Sequence, residues 1–390
     1  MVREMPKVFE FPPLPTEIVF GFGTLSRLGE KVRELGGSRA LVISDRGVAQ
    51  AGLLAAALDV AQKAGIDVCS FEDVPQDSST TTVASALELL ERERCDVVVG
   101  IGGGSVLDTA KAVALNKTNP GPLTQYAGLG KVKKPPLPVI AIPTTAGTGS
   151  EVSYWSVLTD DETGLKFSVG GRLVFPAVAI CDPELTMTLP PMLTASTGMD
   201  ALTHAIESYV NNATQPISQA LSLRAVELIG AYLRSAATNG RDKEARYGML
   251  LGSTLAGIAM NPTRLGIAHA LAMPLGSWDL KIPHGMANAI LLPHVMEFNL
   301  PGNVRAYAEI ARALGENVAG LSDRDAAQLA VDSVRRLKDD VGITFGLGRF
   351  GLTQSHIPRV VEEAMKSGNI AVNPRLVRPA DLEEICLRSL

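Results

Sequence analysis

The sequence predicts an α/β domain with a parallel sheet at the amino-terminal end, followed by a domain built of helices. Up to about residue 188, short runs rich in β-branched residues alternate with amphipathic helical patterns, which is typical of βαβ units. From residue 189 onward, apolar residues recur at helical spacing and strand-like runs are scarce. Leu189, Pro190 and Pro191 interrupt the pattern, so we expect domains at 1–188 and 189–390.

The predicted strands of the first domain are short apolar runs, as expected for a sheet that is buried on both faces. They lie at residues 7–11, 17–21, 39–45, 67–71, 96–101 and 137–142, and a further strand ends at Cys181 and Asp182. Amphipathic patterns predict helices between them at 25–35, 51–64, 82–92 and 106–116. Gly36 and Gly37 end the first of these helices.

The second domain is expected to be entirely helical. Its apolar residues predict helices at 193–211, 216–235, 242–260, 265–275, 285–298, 303–314, 323–341, 356–366 and 379–390.

Composition excludes several classes of protein. The chain has 390 residues, 46% of them hydrophobic, so it can bury a large core. Its net charge of -5 makes nucleic acid or an anionic membrane a poor partner. The amino terminus has no apolar segment typical of export signals, and no run is long enough to cross a membrane. The four cysteines lack CxxC spacing, which is typical of incidental reduced thiols in an intracellular protein. We therefore expect a cytoplasmic protein.

Asp45 lies at the carboxyl end of the strand predicted at 39–45. Ligands of open α/β sheets collect at this edge, where an acid can accept a hydrogen bond from a ribose hydroxyl and repel a 2′-phosphate. The same side chain could equally cap the helix that follows Gly47. Asp45 is therefore a candidate ribose contact with a structural alternative.

Two loops rich in small residues follow successive strands. Gly102, Gly103, Gly104 and Ser105 connect a strand to a helix, where free N–H groups favour an anion. Residues 143–151 (PTTAGTGSE) form a second loop that is rich in hydroxyl groups. The glycine run lacks GxGxxG spacing and the lysine of a P-loop, and it could be a plain tight turn. Together, the two loops favour a dinucleotide over a single phosphate.

Asp200 and His204 stand four residues apart in a predicted helix and share one face, where a carboxylate and an imidazole can reach one cation. The chain has only five histidines, and His269 and His284 lie in apolar segments flanked by glycine. One aspartate with three histidines would suit Fe(II), Zn(II), Mn(II) or Ni(II). The alternative is a surface or capping pair, which is the commoner role of this spacing.

Several segments together resemble the iron-containing (group III) alcohol dehydrogenases over nearly the whole chain. They are 102–105 with Asp108 and Lys111, 143–151, 198–207 (GMDALTHAIE) and 283–294 (PHGMANAILLPH). The resemblance implies a Rossmann-like α/β domain followed by an all-α domain, the dehydroquinate synthase-like fold of this family. It also implies NAD(H), a divalent metal and a homodimer or larger homo-oligomer. Fe(II) is the expected metal and Zn(II) the alternative.

Carried onto this sequence, the family's metal ligands fall on Asp200, His204, His269 and His284. The resemblance implies cofactor contacts at Asp45, Gly102, Gly103, Gly104, Ser105, Asp108, Thr144, Thr145, Thr148, Ser150, Lys166 and Leu185. Asp108 matches the position near the nicotinamide, and an acid at Asp45 goes with NAD rather than NADP. His294 and His356 match no ligand position.

The reaction implied by the resemblance is hydride transfer between a metal-bound small alcohol and C4 of the nicotinamide, reversible toward the aldehyde. Diols and hydroxy acids are among the candidate substrates. One alternative is an oxo-acid reductase or hydroxyacid-oxoacid transhydrogenase, similar to maleylacetate reductase, although the complete ligand set argues against a metal-free enzyme. A non-catalytic nucleotide-binding protein is the remaining alternative.

Two positions depart from the family pattern. Many members carry a second histidine four residues after the position of His269, where this chain has Met273, and a thioether cannot carry a proton. Arg264 stands five residues before His269, where many members have a small or apolar residue. Arg264 could bind a substrate carboxylate or phosphonate, or it could be a solvated arginine or one paired with a glutamate.

Overall fold

A computed structural model describes residues 8–278 and 280–390 of the chain. These residues form two compact units. The first unit contains residues 15–190 and 240–250, and the second contains the described residues of 8–14, 191–239 and 251–390.

The structure contains short strands in the first unit only, as far as the described residues go. They are β1 (Glu17–Phe20), β2 (Arg39–Ile43), β3 (Asp67–Phe71), β4 (Val97–Gly102), β5 (Gly128–Leu129), β6 (Val139–Pro143), β7 (Trp155–Thr159), β8 (Lys166–Gly170) and β9 (Val178–Cys181). Six of them form one parallel sheet in the order β1-β9-β6-β4-β2-β3.

The helices connect the strands of the first unit and make up the second. They are α1 (Leu28–Glu34), α2 (Arg46–Gln50), α3 (Leu53–Lys63), α4 (Thr80–Arg92), α5 (Gly104–Thr118), α6 (Pro191–Val210), α7 (Pro216–Thr238), α8 (Lys243–Thr263), α9 (Ile267–Leu275), α10 (His284–Asn299), α11 (Val304–Ala313), α12 (Asp323–Asp340), α13 (Ile357–Ala364) and α14 (Pro379–Arg388).

The parallel sheet is covered by apolar side chains on both faces. Successive residues of β2 point to opposite sides, so Leu41 and Ile43 join one apolar cluster while Ala40 and Val42 join the other. The first cluster includes side chains of α4 and α5, and the second includes those of α1 and α3. This layering, together with the helical second unit, confirms the predicted fold class.

Three local features differ from the sequence prediction. Residues 8–11 form no strand, because they pair with none of the described strands and an isolated strand leaves its backbone groups unbonded. Lys7, which was part of that prediction, lies outside the described residues. The short helix α2 and the three-stranded sheet β5-β8-β7 were not predicted.

The second unit is organised around α6, which is buried along most of its length and packs against α7 and α10. Among the described residues, none of the helices combines the length and the apolar character needed to cross a membrane.

Candidate metal and cofactor sites

Helix α6 places three ionisable side chains on one buried face. Asp200, His204 and Glu207 follow one another at intervals of four and three residues, and each side chain is at most 5% exposed. The spacing predicted from the sequence is therefore realised on a helix that lies inside the protein. This burial argues against the alternative of a surface pair.

Two further histidines meet Asp200 from other helices. His269 lies in the first turn of α9, and His284 is the first residue of α10. Their Nε2 atoms lie 3.8 and 3.9 Å from Asp200 Oδ1. One donor atom from each of Asp200, His269 and His284 lies within 4.8 Å of the others.

The start of α10 approaches α6 closely because residue 285 is glycine. A Cβ at Gly285 would lie 2.6 Å from the carbonyl oxygen of Ser196 and 3.3 Å from Cβ of Asp200. A larger residue would push the helices apart. Gly285 thus allows His284 to reach Asp200.

His204 lies outside this group of three donors but next to it. Its ring stacks on that of His269, with ring centroids 4.5 Å apart and planes inclined by 23°. Burial raises the pKa of Asp200, but the nearby histidines and the hydrogen bond from Asn288 outweigh burial and hold that pKa below its ordinary value. The role of His204 as a fourth ligand stays a prediction.

The donor set fits a divalent metal. Nε2 of His269 is buried and has no hydrogen-bond partner among the described residues, although an unpaired buried polar atom is costly. One carboxylate and two imidazoles form an oxygen and nitrogen donor set that suits Fe(II) or Zn(II). Asp200, His269 and His284 are the residues that would hold the ion.

In the first unit, the two small-residue loops lie side by side. A Cβ at Gly104 would lie 2.6 Å from Cγ2 of Thr148, and one at Gly103 would lie 3.4 Å from Cγ2 of Thr145. Thr144 N–H donates to the carbonyl oxygen of Gly102 over 3.0 Å. The convergence expected of a shared ligand site is present, and α5 begins here without a side-chain cap.

Ser105 and Lys166 both contact Asp77, a residue to which the sequence pattern assigns no role. Asp77 donates its N–H to Oγ of Ser105 over 3.1 Å, and its carboxylate pairs with Nζ of Lys166 at 2.7 Å. Asp77 has a φ of 59°, in the left-handed region. Its neighbour in sequence, Ser78, is buried and bonded to Thr109 of α5. No motif marked Asp77, because its partners are distant in sequence.

Asp108 and Ser150 belong to a buried network rather than to an open loop. Asp108 accepts hydrogen bonds from Oγ of Ser150 over 2.6 Å and from N–H of Val157 over 2.9 Å, and it pairs with Nζ of Lys111 at 3.4 Å. Burial raises the pKa of Asp108 and lowers the pKa of Lys111. The network fastens α5 to β7, and contact of these two side chains with a cofactor stays a prediction.

Asp45 takes the structural role that the sequence left open. It follows β2 and its Oδ1 accepts a hydrogen bond of 2.9 Å from N–H of Val48 at the start of α2. Leu185 lies in a short helical turn after β9 and packs into the apolar core of the sheet. Whether either residue also contacts a cofactor stays a prediction.

Arg264 lies shortly before α9 in an unusual backbone conformation. Its φ is 61°, and its guanidinium lies over the backbone of Gly368, where a Cβ would come within 2.0 Å of Nη1. It is half-buried, and no carboxylate of the described residues forms an ion pair with it. Met273 lies one turn after His269 in α9, as the sequence predicted.

Glu207 and Asn288 form hydrogen bonds with the candidate metal ligands, and the sequence pattern assigns neither of them a role. Glu207 accepts a hydrogen bond from Nδ1 of His269 over 2.6 Å. Asn288 donates to Oδ1 of Asp200 over 2.7 Å, and its Nδ2 lies 3.2 Å from Nε2 of His284. The available signal was position, because Glu207 continues the face of Asp200 and Asn288 lies one turn after His284.

Comparisons with known proteins agree with this geometry. The model of the iron-containing alcohol dehydrogenase family matches residues 15–183, and that of its C-terminal domain matches residues 194–390. The 1,3-propanediol dehydrogenase of Citrobacter freundii is 40% identical over 95% of this chain and 96% of its own. The lactaldehyde reductase of Escherichia coli K12 is 36% identical over 94% and 96% of the two chains.

The likeness extends to three dimensions. A crystal structure of 1,3-propanediol oxidoreductase superposes with a TM-score of 0.95 at 40% identity, and the match covers 98% of this chain and 100% of that chain. The family implies NAD and a divalent metal, usually iron. The chain therefore belongs to the iron-containing alcohol dehydrogenase family and is an alcohol oxidoreductase.

Proposed function

We propose that this chain catalyses the reversible, NAD(H)-dependent oxidation of small alcohols with a divalent metal. The metal is held by Asp200, His269 and His284, with His204 as the fourth ligand, and we propose Fe(II) first and Zn(II) second. The observation that carries this proposal is the donor cluster within 4.8 Å. The buried Nε2 of His269, which has no hydrogen-bond partner among the described residues, supports it.

Each group of residues has a distinct part in the proposal. The metal, when bound, lowers the pKa of an alcohol hydroxyl and polarises a carbonyl in the reverse direction. Residues 102–105 and 144–150 bind the pyrophosphate and sugar of NAD(H) through backbone N–H groups and hydroxyls. Lys166, held by Asp77, places a cation beside Ser105 of the same site.

The substrate class is drawn from the relatives. Their names point to short diols, a hydroxyaldehyde and simple alcohols, in 1,3-propanediol dehydrogenase, lactaldehyde reductase and the NAD-dependent methanol dehydrogenase of Bacillus methanolicus. We therefore propose alcohols of a few carbon atoms, with short diols first. An acid at Asp45 supports NAD over NADP, because it disfavours a 2′-phosphate.

The test combines metal analysis with turnover. NADH formation from 1,2-propanediol, 1,3-propanediol, butanol and 4-hydroxybutyrate is measured before and after anaerobic addition of Fe(II) or Zn(II), with NADP in parallel. We expect about one metal ion per chain and metal-dependent turnover. Asp200→Ala and His284→Ala should lose the bound metal and the turnover. The control His356→Gln changes an exposed histidine that is hydrogen-bonded to Thr353, and it should keep both the metal and the turnover. Turnover that ignores metal would refute the proposal.

A second candidate, a hydroxy-acid or oxo-acid substrate, is supported by the guanidinium of Arg264, which forms no ion pair with a carboxylate of the described residues. Such a group can hold a carboxylate through two parallel hydrogen bonds. Arg264→Ala should then lower kcat/KM for 4-hydroxybutyrate by about 10- to 100-fold relative to that for butanol. Arg375→Ala changes another arginine of the same unit, which lies over Phe298, and should leave the ratio alone. An unchanged ratio in Arg264→Ala would remove the acid-binding role.

We also propose assembly as a homodimer or larger homo-oligomer, and a cytoplasmic location. The family resemblance supports the assembly, and light scattering of the purified protein measures it. The four cysteines are free thiols, which supports a reducing compartment. Fractionation of the host cells tests the location.

A further inference from the structure

Glu207 is a buried carboxylate that the proposed chemistry has not yet used. Its Oε2 accepts a hydrogen bond of 2.8 Å from N–H of Gly266, and its Oε1 accepts one of 2.8 Å from N–H of Ala268. The third bond, of 2.6 Å, joins Oε2 to Nδ1 of His269. Its side chain is 3% exposed, and no lysine or arginine of the described residues pairs with it.

The start of α9 is shaped around this carboxylate. Gly266 is the residue before the helix and has no side chain to cap it, so Glu207 of α6 satisfies two of the free N–H groups. A Cβ at Gly266 would lie 2.6 Å from Oε1 of Glu207 and 2.8 Å from its Cδ. Glycine is therefore what allows the carboxylate to reach the helix, where the N-terminal dipole favours an anion.

These contacts decide which nitrogen of His269 carries the proton. The carboxylate already accepts from two backbone donors, so Nδ1 of His269 must be the donor in the third bond. A neutral ring then keeps a lone pair on Nε2, which faces Oδ1 of Asp200 at 3.8 Å and has no hydrogen-bond partner among the described residues. A lone pair in that position is what a metal ligand needs.

We propose that Glu207 is a positioning residue that fixes the proton of His269 on Nδ1 and the orientation of its ring for the metal. This inference rests on the proposed function, because it assumes that a metal binds at His269. Loss of such an outer partner typically weakens metal binding by about 10- to 100-fold. Glu207 itself does not touch the substrate or the ion.

The first experiment needs no variant of Glu207. The full-length protein is labelled with 15N-histidine, and long-range proton–nitrogen spectra identify the tautomer of each ring in the metal-free protein. The chain has only five histidines, and His269→Asn identifies the signals of His269 by their absence. We expect a protonated Nδ1 and a bare Nε2. A proton on Nε2 would overturn the proposal.

The second experiment measures affinity. Glu207→Gln keeps the size of the side chain but offers only one acceptor oxygen to three hydrogen-bond donors. It should therefore weaken Zn(II) binding by about 10- to 100-fold. The affinity is measured by competition with a chromophoric chelator. Glu207→Asp keeps the charge and should lose less. Glu297→Gln removes a carboxylate on α10 that pairs with Arg335 and Arg388 and should bind Zn(II) as the unmodified chain does.

The outcomes separate this inference from the proposed function. An unmodified chain that binds no Zn(II) or Fe(II) would overturn the proposed function, and the positioning role with it. If the unmodified chain binds metal and Glu207→Gln binds it with the same affinity, only the positioning role is overturned. A shifted Co(II) absorption spectrum in Glu207→Gln, with an unchanged Tm of the metal-free protein, supports positioning and not general stability.

An independent observation concerns Cys69 and Cys95, which are distant in sequence but meet in the structure. Cys69 lies in β3 and is half-buried, Cys95 precedes β4 and is buried, and their Sγ atoms lie 3.4 Å apart. A hydrogen bond from the Cys95 thiol lowers the pKa of Cys69, and the same contact raises the pKa of Cys95. The contact raises the question of whether these two thiols can react with each other.

We propose that hydrogen peroxide converts this pair into a disulfide. The Cys69 thiolate attacks a peroxide oxygen, which forms a sulfenic acid and releases one water. Sγ of Cys95 then attacks Sγ of Cys69, so the S–S bond forms as the S–O bond breaks and a second water leaves. Two thiols lose two hydrogen atoms in total, and one peroxide is reduced to two waters.

The test treats the purified full-length chain with hydrogen peroxide and maps non-reduced peptides by mass spectrometry. We expect a Cys69–Cys95 cross-linked peptide, two remaining thiols of the original four, and reversal by dithiothreitol. Cys69→Ser should give no cross-link, and Cys386→Ser should still give it. Four intact thiols, or a sulfinic acid at Cys69 without a cross-link, would overturn the proposal.

Discussion

Lys111 shows how one buried side chain can hold several elements together. Its Nζ donates to Oγ of Ser150 over 2.7 Å and to the carbonyl oxygen of Trp155 over 2.7 Å, beside the carboxylate of Asp108. Burial works against both charges, because it raises the pKa of Asp108 and lowers the pKa of Lys111. The pair is stable only while both partners are present.

We predict that Lys111→Met destabilises the first unit by about 3–5 kcal/mol, because Asp108 remains buried without its cation. Urea unfolding is followed by the fluorescence of Trp155 in a Trp278→Phe background, since these are the only two tryptophans. The double variant with Asp108→Asn should lose less than the sum of the single variants. Additive losses would contradict this coupling.

Lys63→Met provides the matched control for Lys111→Met. Lys63 pairs with Asp59 on the surface of the same unit, and both side chains are more than half exposed. Such pairs contribute about 0–1 kcal/mol. A comparable loss in Lys63→Met would mean that removal of a lysine charge, and not burial, explains the effect.

The difference between Asp200 and Glu207 shows how far sequence reasoning reaches at single residues. The four-residue spacing of Asp200 and His204 predicted a shared face, and the structure has it. Glu207 remained without a role because its partners lie 59 to 62 residues away along the chain. The sequence allows Asp45 two roles, and only the three-dimensional structure shows that its side chain caps α2.

At the scale of elements, the predictable part of the fold is the part with strong apolar periodicity. Strands β2, β4 and β6 are predictable because nearly all of their residues are buried apolar ones, whereas β3, at the edge of the sheet, is only partly buried. Strand β5 has two residues, both exposed, so no apolar pattern marks it. Strand β7 alternates between buried and half-buried residues, and it is positioned by its pairing with β8 and by the hydrogen bond from Val157 to Asp108 of α5. A sequence does not display such a contact.

Asp96 joins the starts of two neighbouring strands, β2 and β4. Its carboxylate accepts hydrogen bonds from N–H and Oγ of Ser38 and from N–H of Arg39, all between 2.8 and 3.0 Å. Burial raises the pKa of Asp96, but these bonds outweigh burial and hold it below the ordinary value. Its contribution to stability is therefore present above the unfolded-state pKa of about 4 and is lost as the pH falls through the folded-state pKa.

We predict that Asp96→Asn destabilises the first unit by about 1 kcal/mol at pH 7, less than is usual for hydrogen bonds to charged groups, because solvent partly screens the carboxylate. The difference from the unmodified chain should shrink below pH 4 and vanish once both forms are uncharged. Urea unfolding at several pH values measures it. Asp59→Asn, on the surface of α3, serves as the control, and a difference for Asp96→Asn that persists at low pH would contradict the prediction.

At the scale of the whole molecule, the candidate ligands divide between the two units. Asp200, His269 and His284 belong to the second unit, whereas the loops at 102–105 and 144–150 belong to the first. Each ligand should therefore stabilise the unit that binds it. A ligand at 100 times its Kd stabilises the bound form by about 2.7 kcal/mol, which corresponds to a roughly 100-fold slowing of hydrogen exchange through opening of the site.

We predict that Zn(II) slows hydrogen–deuterium exchange in α6, α9 and α10, and that NAD slows it at 102–105 and 144–150. Mass spectrometry of the full chain with each ligand separately measures both patterns. Asp200→Asn changes one candidate metal ligand and leaves both candidate cofactor loops intact, so it should lose the Zn(II) pattern and keep the NAD pattern. If Zn(II) slows exchange at the glycine loop, or if NAD slows it in α9 alone, then the metal does not bind to the second unit and NAD to the first as predicted.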